Sequence, residues 1–263
     1  YKSTQEYTAP FRYVVGAYFS KLKVAGTIAS SAKFSGGIVG QVMNKDVTFS
    51  SCQSSVTLDS SVDGDATNGG FVAHTINGRV GFFDCLFDGS FLGEKCHSNG
   101  GFVGWIDQTT YNPFFHNCYF KPARISTKMD NCKTFARANS GIAYPLEIQD
   151  CYYSELYYGS ETMTISGDEY FIIRNADDWK AFGQKVNNAT GDVYAILNAD
   201  ITITEPIGTI VRPFKGIFDG NGHTINCDIN RSDGLAAPFA YAGDASIWDL
   251  HITGTIRGKN PAL

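Results

Sequence analysis

Short runs in which apolar and polar residues alternate recur along the chain, and glycine-rich turns separate them. Asp46-Val47-Thr48-Phe49 is one such run, while Asn68-Gly69-Gly70 and Asn99-Gly100-Gly101 are turns. Alternation predicts strands with one buried face, and so many glycine and β-branched residues disfavour helices. The pattern therefore predicts an all-β chain of short strands joined by tight corners.

Two motifs repeat with nearly the same period. In the first, an apolar residue precedes a cysteine by three positions, and Ser, Asp or Asn precedes it directly. The cysteines, 33 residues apart, are Cys52, Cys85, Cys118 and Cys151; the apolar residues are Phe49, Phe82, Phe115 and Ile148; the polar ones are Ser51, Asp84, Asn117 and Asp150. The second motif reads Gly37-Ile38-Val39-Gly40, Gly70-Phe71-Val72-Ala73, Gly101-Phe102-Val103-Gly104 and, without glycine, Thr134-Phe135-Ala136-Arg137.

A period of this length also occurs in helical repeats, but those need two amphipathic helices per unit. The strand-like composition instead predicts a single-stranded parallel β-helix, a solenoid with one coil per repeat. Neighbouring strands would lie about 4.8 Å apart, so like residues would form columns. The Phe49–Ile148 and Cys52–Cys151 columns are predicted to be interior ladders.

The cysteines of the ladder are expected to be free, because stacked residues point their Cβ atoms in parallel directions rather than toward each other. Disulfides between adjacent rungs are the alternative. Cys96 and Cys132 lie outside the ladder and are the plausible disulfide pair. An odd total of seven cysteines leaves at least one unpaired within the chain.

A longer repeat relates residues 9–28 to residues 237–256 at an offset of 228, matching Pro10 with Pro238, Leu22 with Leu250 and Thr27 with Thr255. The chain is thus predicted to hold parts of two homologous modules. Residues 1–160 would be the later rungs of one module, 161–169 a polar linker, and 170–263 the capping helix and first rungs of the next.

The capping helix is predicted near 176–187. Asn175 is a suitable N-cap, and Trp179, Phe182 and Val186 lie on one face. Such a helix would cover a coil edge that otherwise promotes aggregation. The strands predicted around it are 170–173, 193–197, 201–204, 217–218 and 223–229.

Because the chain is predicted to hold only parts of two modules, the predicted partner of each part is another module of the same type. Each piece would expose a sheet edge that the other type of piece could cover, within one chain or between chains. Stacking between chains would be heterologous and could build a filament. The alternative is that the chain is a fragment of a longer tandem-repeat protein.

The glycine motifs, each followed by a strand such as Asn117-Cys118-Tyr119, resemble the GLUG-repeat family of bacterial surface proteins. The segment from Phe214 to Ile225, which contains Asp219-Gly220-Asn221-Gly222, is similar to the lead-in of that family. The resemblance implies a right-handed parallel β-helix on a secreted or wall-attached bacterial protein, such as an adhesin or a non-catalytic part of a surface protease. The missing glycines of the fourth repeat suggest a terminal rung.

The net charge and the spacing of titratable residues limit which partners and reactions the sequence predicts. The formal net charge is −5 with no run of Lys or Arg, so neither nucleic acid nor membrane insertion is predicted. Asp84 and Asp150 would lie two rungs, about 10 Å, apart without a recurring basic neighbour. Catalysis, as in β-helical polysaccharide lyases and hydrolases, is therefore the less favoured alternative. The histidines lack ligand spacing, so no metal or cofactor is predicted.

An insertion at 105–113 breaks the rung pattern and is predicted to project. Trp105 and Tyr111 could stack on a sugar while Asp107 and Gln108 bond its hydroxyls; packing against the coil is the alternative. The sequence thus predicts a non-catalytic adhesin or stalk module, secreted or at the cell surface, that contacts its own modules and possible glycan or protein partners. Its alternatives are a filament subunit and a polysaccharide-active enzyme.

Overall fold

The computed structural model of the chain describes residues 1–158, 162–165 and 168–261. They form a mostly parallel β-solenoid of about eight turns with one short helix, which confirms the predicted fold class. The chain divides into two compact units, unit 1 (Tyr1–Gly159) and unit 2 (Ser160–Leu263).

Unit 1 consists of short strands in successive rungs. They are β1 (Lys2–Ser3), β2 (Phe11–Val14), β3 (Ala17–Ser20), β4 (Lys23–Ser30), β5 (Val39–Met43), β6 (Val47–Ser50), β7 (Gln53–Ser60), β8 (Gly64–Asp65), β9 (Val72–Ile76), β10 (Val80–Phe83), β11 (Leu86–Phe87), β12 (Ser90–Leu92), β13 (Cys96–His97), β14 (Val103–Ile106), β15 (Phe114–His116), β16 (Tyr119–Phe120), β17 (Arg124–Ile125), β18 (Ala136–Ala138), β19 (Glu147–Gln149) and β20 (Tyr152–Tyr153).

Three long parallel sheets run along unit 1, and β8 and β13 form a fourth sheet of two strands. Each rung gives at least one strand to each of the three long sheets. The first sheet is β2-β5-β9-β14-β18, the second is β3-β6-β10-β15-β19, and the third is β1-β4-β7-β11-β16-β20 with β12 and β17 beside it. In the second sheet, Phe82 pairs with Phe49 on one side and with Phe115 on the other. Register therefore places like residues in columns, because the repeat length matches one coil.

Aromatic columns fill the interior. The rings of Phe49, Phe82 and Phe115 are fully buried and stack at 4.9 and 5.0 Å, within 8° of parallel. A second stack, Phe71 on Phe102, lies across from it and meets Phe82 edge-on at 5.4 Å. Offset and edge-to-face contacts of this kind add to the stabilisation from burial.

The corner between the second and third sheets is a left-handed residue in every rung. Its φ angle is 54°, 54°, 52°, 51° and 51° at Lys21, Ser51, Asp84, Asn117 and Asp150, respectively. Asp and Asn tolerate this conformation better than most residues, so they recur before the cysteines. The Asn117 Nδ2 also donates to the Asp84 carboxylate at 2.6 Å, which links two corners.

Buried asparagines form another column at the corner that precedes the first sheet. The side-chain oxygen of Asn68 accepts from the Ser35 amide at 3.2 Å, and that of Asn99 accepts from the Asn68 amide at 2.9 Å. The Cys132 sulfur takes the same position above the Asn99 amide, at 3.3 Å. These bonds satisfy backbone N–H groups that are buried away from water.

Glycine columns let the rungs of the first sheet approach each other. A Cβ at Gly70 would overlap the carbonyl oxygen of Gly101, and a Cβ at Gly101 would overlap that of Thr134. Thr134 ends this column in the last rung of unit 1. Ile148 of that rung pairs with Phe115 but is 50% exposed, so it is not the interior residue that the ladder predicted. Burial in a solenoid needs a rung on both sides.

Unit 2 begins with an antiparallel pair and a helix. Its elements are β21 (Thr162–Ile165), β22 (Asp168–Ile173), α1 (Ala176–Asn188), β23 (Val193–Leu197), β24 (Ile201–Ile203), β25 (Phe214–Asp219), β26 (Thr224–Ala236), β27 (Ala242–Trp248) and β28 (His251–Pro261). The sheets are β21-β22-β23-β25-β27 and β24-β26-β28. Residues 162–165, predicted to be linker, instead form a strand along β22; the other residues of 161–169 lie partly outside the described residues.

The helix covers the interior of unit 2, as its apolar stripe predicts. The Asn175 side chain caps α1 by accepting from the Asp178 amide at 2.9 Å. Trp179, Phe182 and Val186 are buried, and Trp179 meets Phe218 edge-on at 6.0 Å. The amphipathic face therefore packs on the inward residues of the sheet beside it.

Candidate functional site

The residues predicted to bind a sugar are placed in two different environments. Residues 107–113 connect β14 to β15, where equivalent corners hold only 44–46 and 77–79. Trp105 lies before this loop and packs on a buried arginine, whereas Tyr111 is 59% exposed. Gln108 is exposed, and the half-buried Asp107 carboxylate accepts a hydrogen bond from the side-chain amide of Asn139 at 3.3 Å. The four residues therefore do not form one binding surface.

Tyr111 instead joins an outward-facing cluster on the second sheet. We define the aromatic face as Arg79, Phe83, Tyr111, Phe114 and His116. Arg79 lies 5.4 Å from the ring centres of both Tyr111 and Phe114. Phe83 lies 4.8 Å from Phe114 and 5.3 Å from His116.

Strand register produces the aromatic face. Inward Phe82 and Phe115 alternate with outward neighbours, so Phe83 pairs with His116 and Gly81 pairs with Phe114. The Phe114 ring lies over Gly81, and a Cβ there would overlap it. Phe83 remains 38% exposed, so with Tyr111 and Phe114 it belongs to an outward aromatic patch, and contiguous exposed apolar patches are the surfaces that mark binding sites.

Ion pairs border the aromatic face. Arg79 pairs with Asp46 at 3.2 Å, and His116 contacts Glu147 at 2.8 Å. These side chains are partly exposed, so they contribute little to stability. Rings flanked by charged donors and acceptors can stack on the C–H face of a sugar and bond its hydroxyls.

Trp105 contacts the most deeply buried charge of unit 1. Arg137 is 6% exposed, lies 4.9 Å from the Trp105 ring and donates to the Ser98 carbonyl at 2.6 Å. Burial lowers the pKa of this guanidinium, and nearby Asp65 opposes the shift. These contacts of Arg137 hold neighbouring rungs together. The only sign of them in the sequence is that Arg137 stands in the fourth motif where Gly40 and Gly104 stand in the first and third.

The predicted cysteine ladder lies at the start of the third sheet. Cys52, Cys85 and Cys118 are buried, and Cys151 is half-buried. The Cys118 amide donates to the Cys151 sulfur at 3.4 Å. The neighbouring Cys118 thiol lowers the pKa of Cys151 to about 7, whereas hydrogen bonding to Cys151 raises that of Cys118. Cys151 is thus the thiol of this ladder most suited to react.

Cys96 and Cys132, the candidate disulfide pair, are buried free thiols. They belong to different columns. Cys96 pairs with Gly64 in β8, whereas Cys132 lies above Asn99. Burial raises the pKa of Cys132 to about 11, so this thiol stays protonated at neutral pH.

The corner aspartates Asp84 and Asp150 lie in rungs on either side of Asn117. The carboxylate of Asp84 bonds to the Asn117 amide rather than converging with Asp150. Within the described ranges, no cluster of three or more His, Cys, Asp or Glu side chains could hold a metal ion. The described part of the chain also has no helix with the length and apolarity to cross a bilayer.

The two units share one rung type, at the start of unit 1 and the end of unit 2. Lys2 pairs with Ala29 as Asn230 pairs with Arg257, each at the offset of 228. Left-handed residues match as well: Gly16 with Asp244 (φ 65° and 53°), Lys21 with Asp249 (54° and 49°) and Gly26 with Gly254 (121° and 99°). The longer repeat therefore extends to backbone conformation and strand register.

This shared rung lies at a sheet edge in both units. β2 and β3 end the first and second sheets of unit 1, and β27 and β28 end the sheets of unit 2. Apolar side chains are correspondingly exposed there, with Phe11 at 45%, Ile247 at 41% and Ile252 at 52%.

Comparison of the chain with known protein families, with curated proteins and with solved structures gives no match.

Proposed function

We propose that the protein is a non-catalytic surface module that acts as a rigid stalk and binds glycans through the aromatic face. The observation that carries this proposal is the exposed Phe83 ring beside Tyr111 and Phe114 on a continuous parallel sheet. Ladders of buried phenylalanine support that sheet from within, so the rings are held in fixed positions. Preorganised aromatic surfaces lose little conformational entropy when they bind.

The repeat motifs support the biological setting of the proposal. Gly70-Phe71-Val72 and Gly101-Phe102-Val103, the motifs that resemble GLUG repeats, lie in neighbouring rungs with room only for glycine at their first positions. We assign the chain on this basis to secreted or wall-attached bacterial proteins of the GLUG-repeat type. The 228-residue repeat, with its matching register, fits a tandem array that separates a binding surface from a cell.

A glycan array tests binding directly. The wild-type chain is compared with a Phe83→Ala/Tyr111→Ala variant and with Tyr152→Ala, a control that removes a ring 61% exposed on the third sheet. We expect the double variant to lose the signals of the wild type and Tyr152→Ala to keep them. Equal binding by all three proteins, or binding by none, contradicts the aromatic face as a glycan site.

Product analysis of each bound glycan separates this function from that of a polysaccharide lyase or hydrolase. Shortened or unsaturated products that require the chain contradict the non-catalytic assignment. Trp105→Ala completes the set. Because Trp105 packs on Arg137, this variant should lower thermal stability and keep glycan binding.

A further inference from the structure

Outward positions of the second sheet extend the aromatic face from rung to rung, and we propose that its ligand is a neutral, linear glycan that lies along the solenoid axis. The proposal rests on the proposed function, because it names the class of sugar that the aromatic face takes. It commits to the interior of a polysaccharide chain rather than to a single terminal sugar.

Strand register forms two outward columns across four neighbouring rungs. Because Phe49, Phe82 and Phe115 point inward, the residues on either side of them in each strand point outward. One column contains Thr48, Gly81, Phe114 and Glu147, and the other contains Ser50, Phe83, His116 and Gln149. Each column therefore has a hydroxyl group on one side of the aromatic rings and a carboxylate or an amide on the other side.

The two columns are longer than one sugar ring. Rungs lie about 4.8 Å apart, so the distance from Ser50 to Gln149 is about 14 Å. Along the strand, in contrast, the face ends one residue after Phe83. The left-handed corner Asp84 follows there, and its carboxylate already accepts a hydrogen bond from Asn117. A ligand that meets both the rings and the flanking polar groups must therefore run from rung to rung.

The order of side chains along the columns fits successive sugars of one chain. The aromatic rings at the centre offer a flat apolar surface on which the C–H face of a sugar can stack. The Ser50 hydroxyl and the Gln149 side-chain amide can each donate and accept hydrogen bonds, so they suit the hydroxyl groups of the sugars on either side. A single terminal sugar would reach only part of this surface.

The charges on the aromatic face favour a neutral chain. The Arg79 guanidinium lies 3.2 Å from the Asp46 carboxylate, which also accepts from the Arg79 backbone amide at 3.1 Å. The His116 ring likewise contacts the Glu147 carboxylate at 2.8 Å. Both basic side chains of the face are thus already paired with a carboxylate. A uronic acid would have to displace these carboxylates, and their negative charges would repel it.

Isothermal titration of the full chain with defined oligosaccharides tests the length and the charge of the ligand. The probes are neutral gluco-, xylo-, manno- and galacto-oligosaccharides, each as a disaccharide and a hexasaccharide, and hexagalacturonate as an acidic chain. We expect the hexasaccharide of at least one neutral series to bind at least ~tenfold more tightly than its disaccharide. Hexagalacturonate should bind at least ~tenfold more weakly than that neutral hexasaccharide.

Substitutions at both ends of one column test the orientation of the chain. Ser50→Ala and Gln149→Ala should each weaken binding of that hexasaccharide about three- to tenfold, because each removes a hydrogen bond. The two losses should add in the double variant, since the two residues contact different sugars. Thr57→Ala is the control, because it removes a half-buried hydroxyl from the outward face of the third sheet and should leave binding unchanged.

The outcomes distinguish a failure of the glycan site from a failure of the axial, neutral chain. If no probe binds, or if Phe83→Ala/Tyr111→Ala binds as the wild type does, both proposals are overturned. If the aromatic variant loses binding but hexasaccharides bind no better than disaccharides, only the axial chain is overturned. The same holds if both end variants bind as Thr57→Ala does, or if hexagalacturonate binds more tightly than every neutral chain. Thermal melts establish that the variants are folded.

Discussion

The ring of Phe114 lies directly over Gly81 on the outer surface of the second sheet. An aromatic side chain of one rung thus packs against the backbone of the neighbouring rung. This contact fixes the Phe114 ring between Arg79 and Phe83, and so links a glycine to the geometry of the aromatic face.

Gly81→Ala should weaken glycan binding without unfolding the chain. A methyl group at position 81 would displace the Phe114 ring, so we expect a loss of about tenfold, near 1.4 kcal/mol of binding free energy. Titration with a glycan identified on the array gives the affinity. Gly141→Ala is the control, because the nearest atom to its Cβ would be the Asn139 oxygen at 3.5 Å; equal losses in both variants contradict this role of Gly81.

Two neighbouring phenylalanines should differ in their effect on stability. Phe82 is fully buried between Phe49 and Phe115, so Phe82→Ala should lower the free energy of unfolding by about 3–5 kcal/mol. Phe83→Ala, on the same strand but facing outward, should cost under about 1 kcal/mol. Urea unfolding followed by circular dichroism measures both, and similar losses would show that the ladder is not the main core.

The asparagine column predicts a loss that depends on hydrogen bonds. Asn99→Ala would leave the buried Asn68 amide without its acceptor and remove the donor to the Tyr157 hydroxyl at 2.8 Å. We expect the free energy of unfolding to fall by about 1–3 kcal/mol. Asn112→Ala, in the loop 107–113, is the control, and a change no larger than the control value would argue against the column.

Cysteine labelling should depend on pH through Cys151. Because its pKa is lowered to about 7, the reactive thiolate forms as the pH rises through 7, and alkylation should accelerate there and level off above it. Cys132, with a pKa raised to about 11, should stay unlabelled at neutral pH in the native state. Mass spectrometry of timed samples identifies the sites, and a fast phase that survives in Cys151→Ser disproves the assignment.

Much of the scaffold could be predicted from the spacing of residues. The 33-residue spacing of the cysteines predicts one coil per repeat, and the Asn175 cap with the Trp179, Phe182 and Val186 stripe predicts α1. These signals are local or strictly periodic, so they survive without knowledge of distant contacts.

The candidate site was harder to predict because it depends on contacts across rungs. Tyr111 and Trp105 are close in sequence, yet one lies over Arg79 and the other over Arg137. The asparagine column did leave a signal, the Asn-Gly-Gly turns at Asn68 and Asn99. Cys132 obscures this signal, because its thiol replaces the asparagine side chain in the third member of the column.

The glycine column also determines how the molecule could change in size. Three successive rungs have a glycine at this position, Gly37, Gly70 and Gly101, whereas Thr134 in the last rung carries a side chain there. Duplicating one 33-residue segment ahead of Thr134 would therefore lengthen the coil by about 4.8 Å without disturbing its two ends. Recombination between like segments could thus adjust the height of the molecule in regular increments.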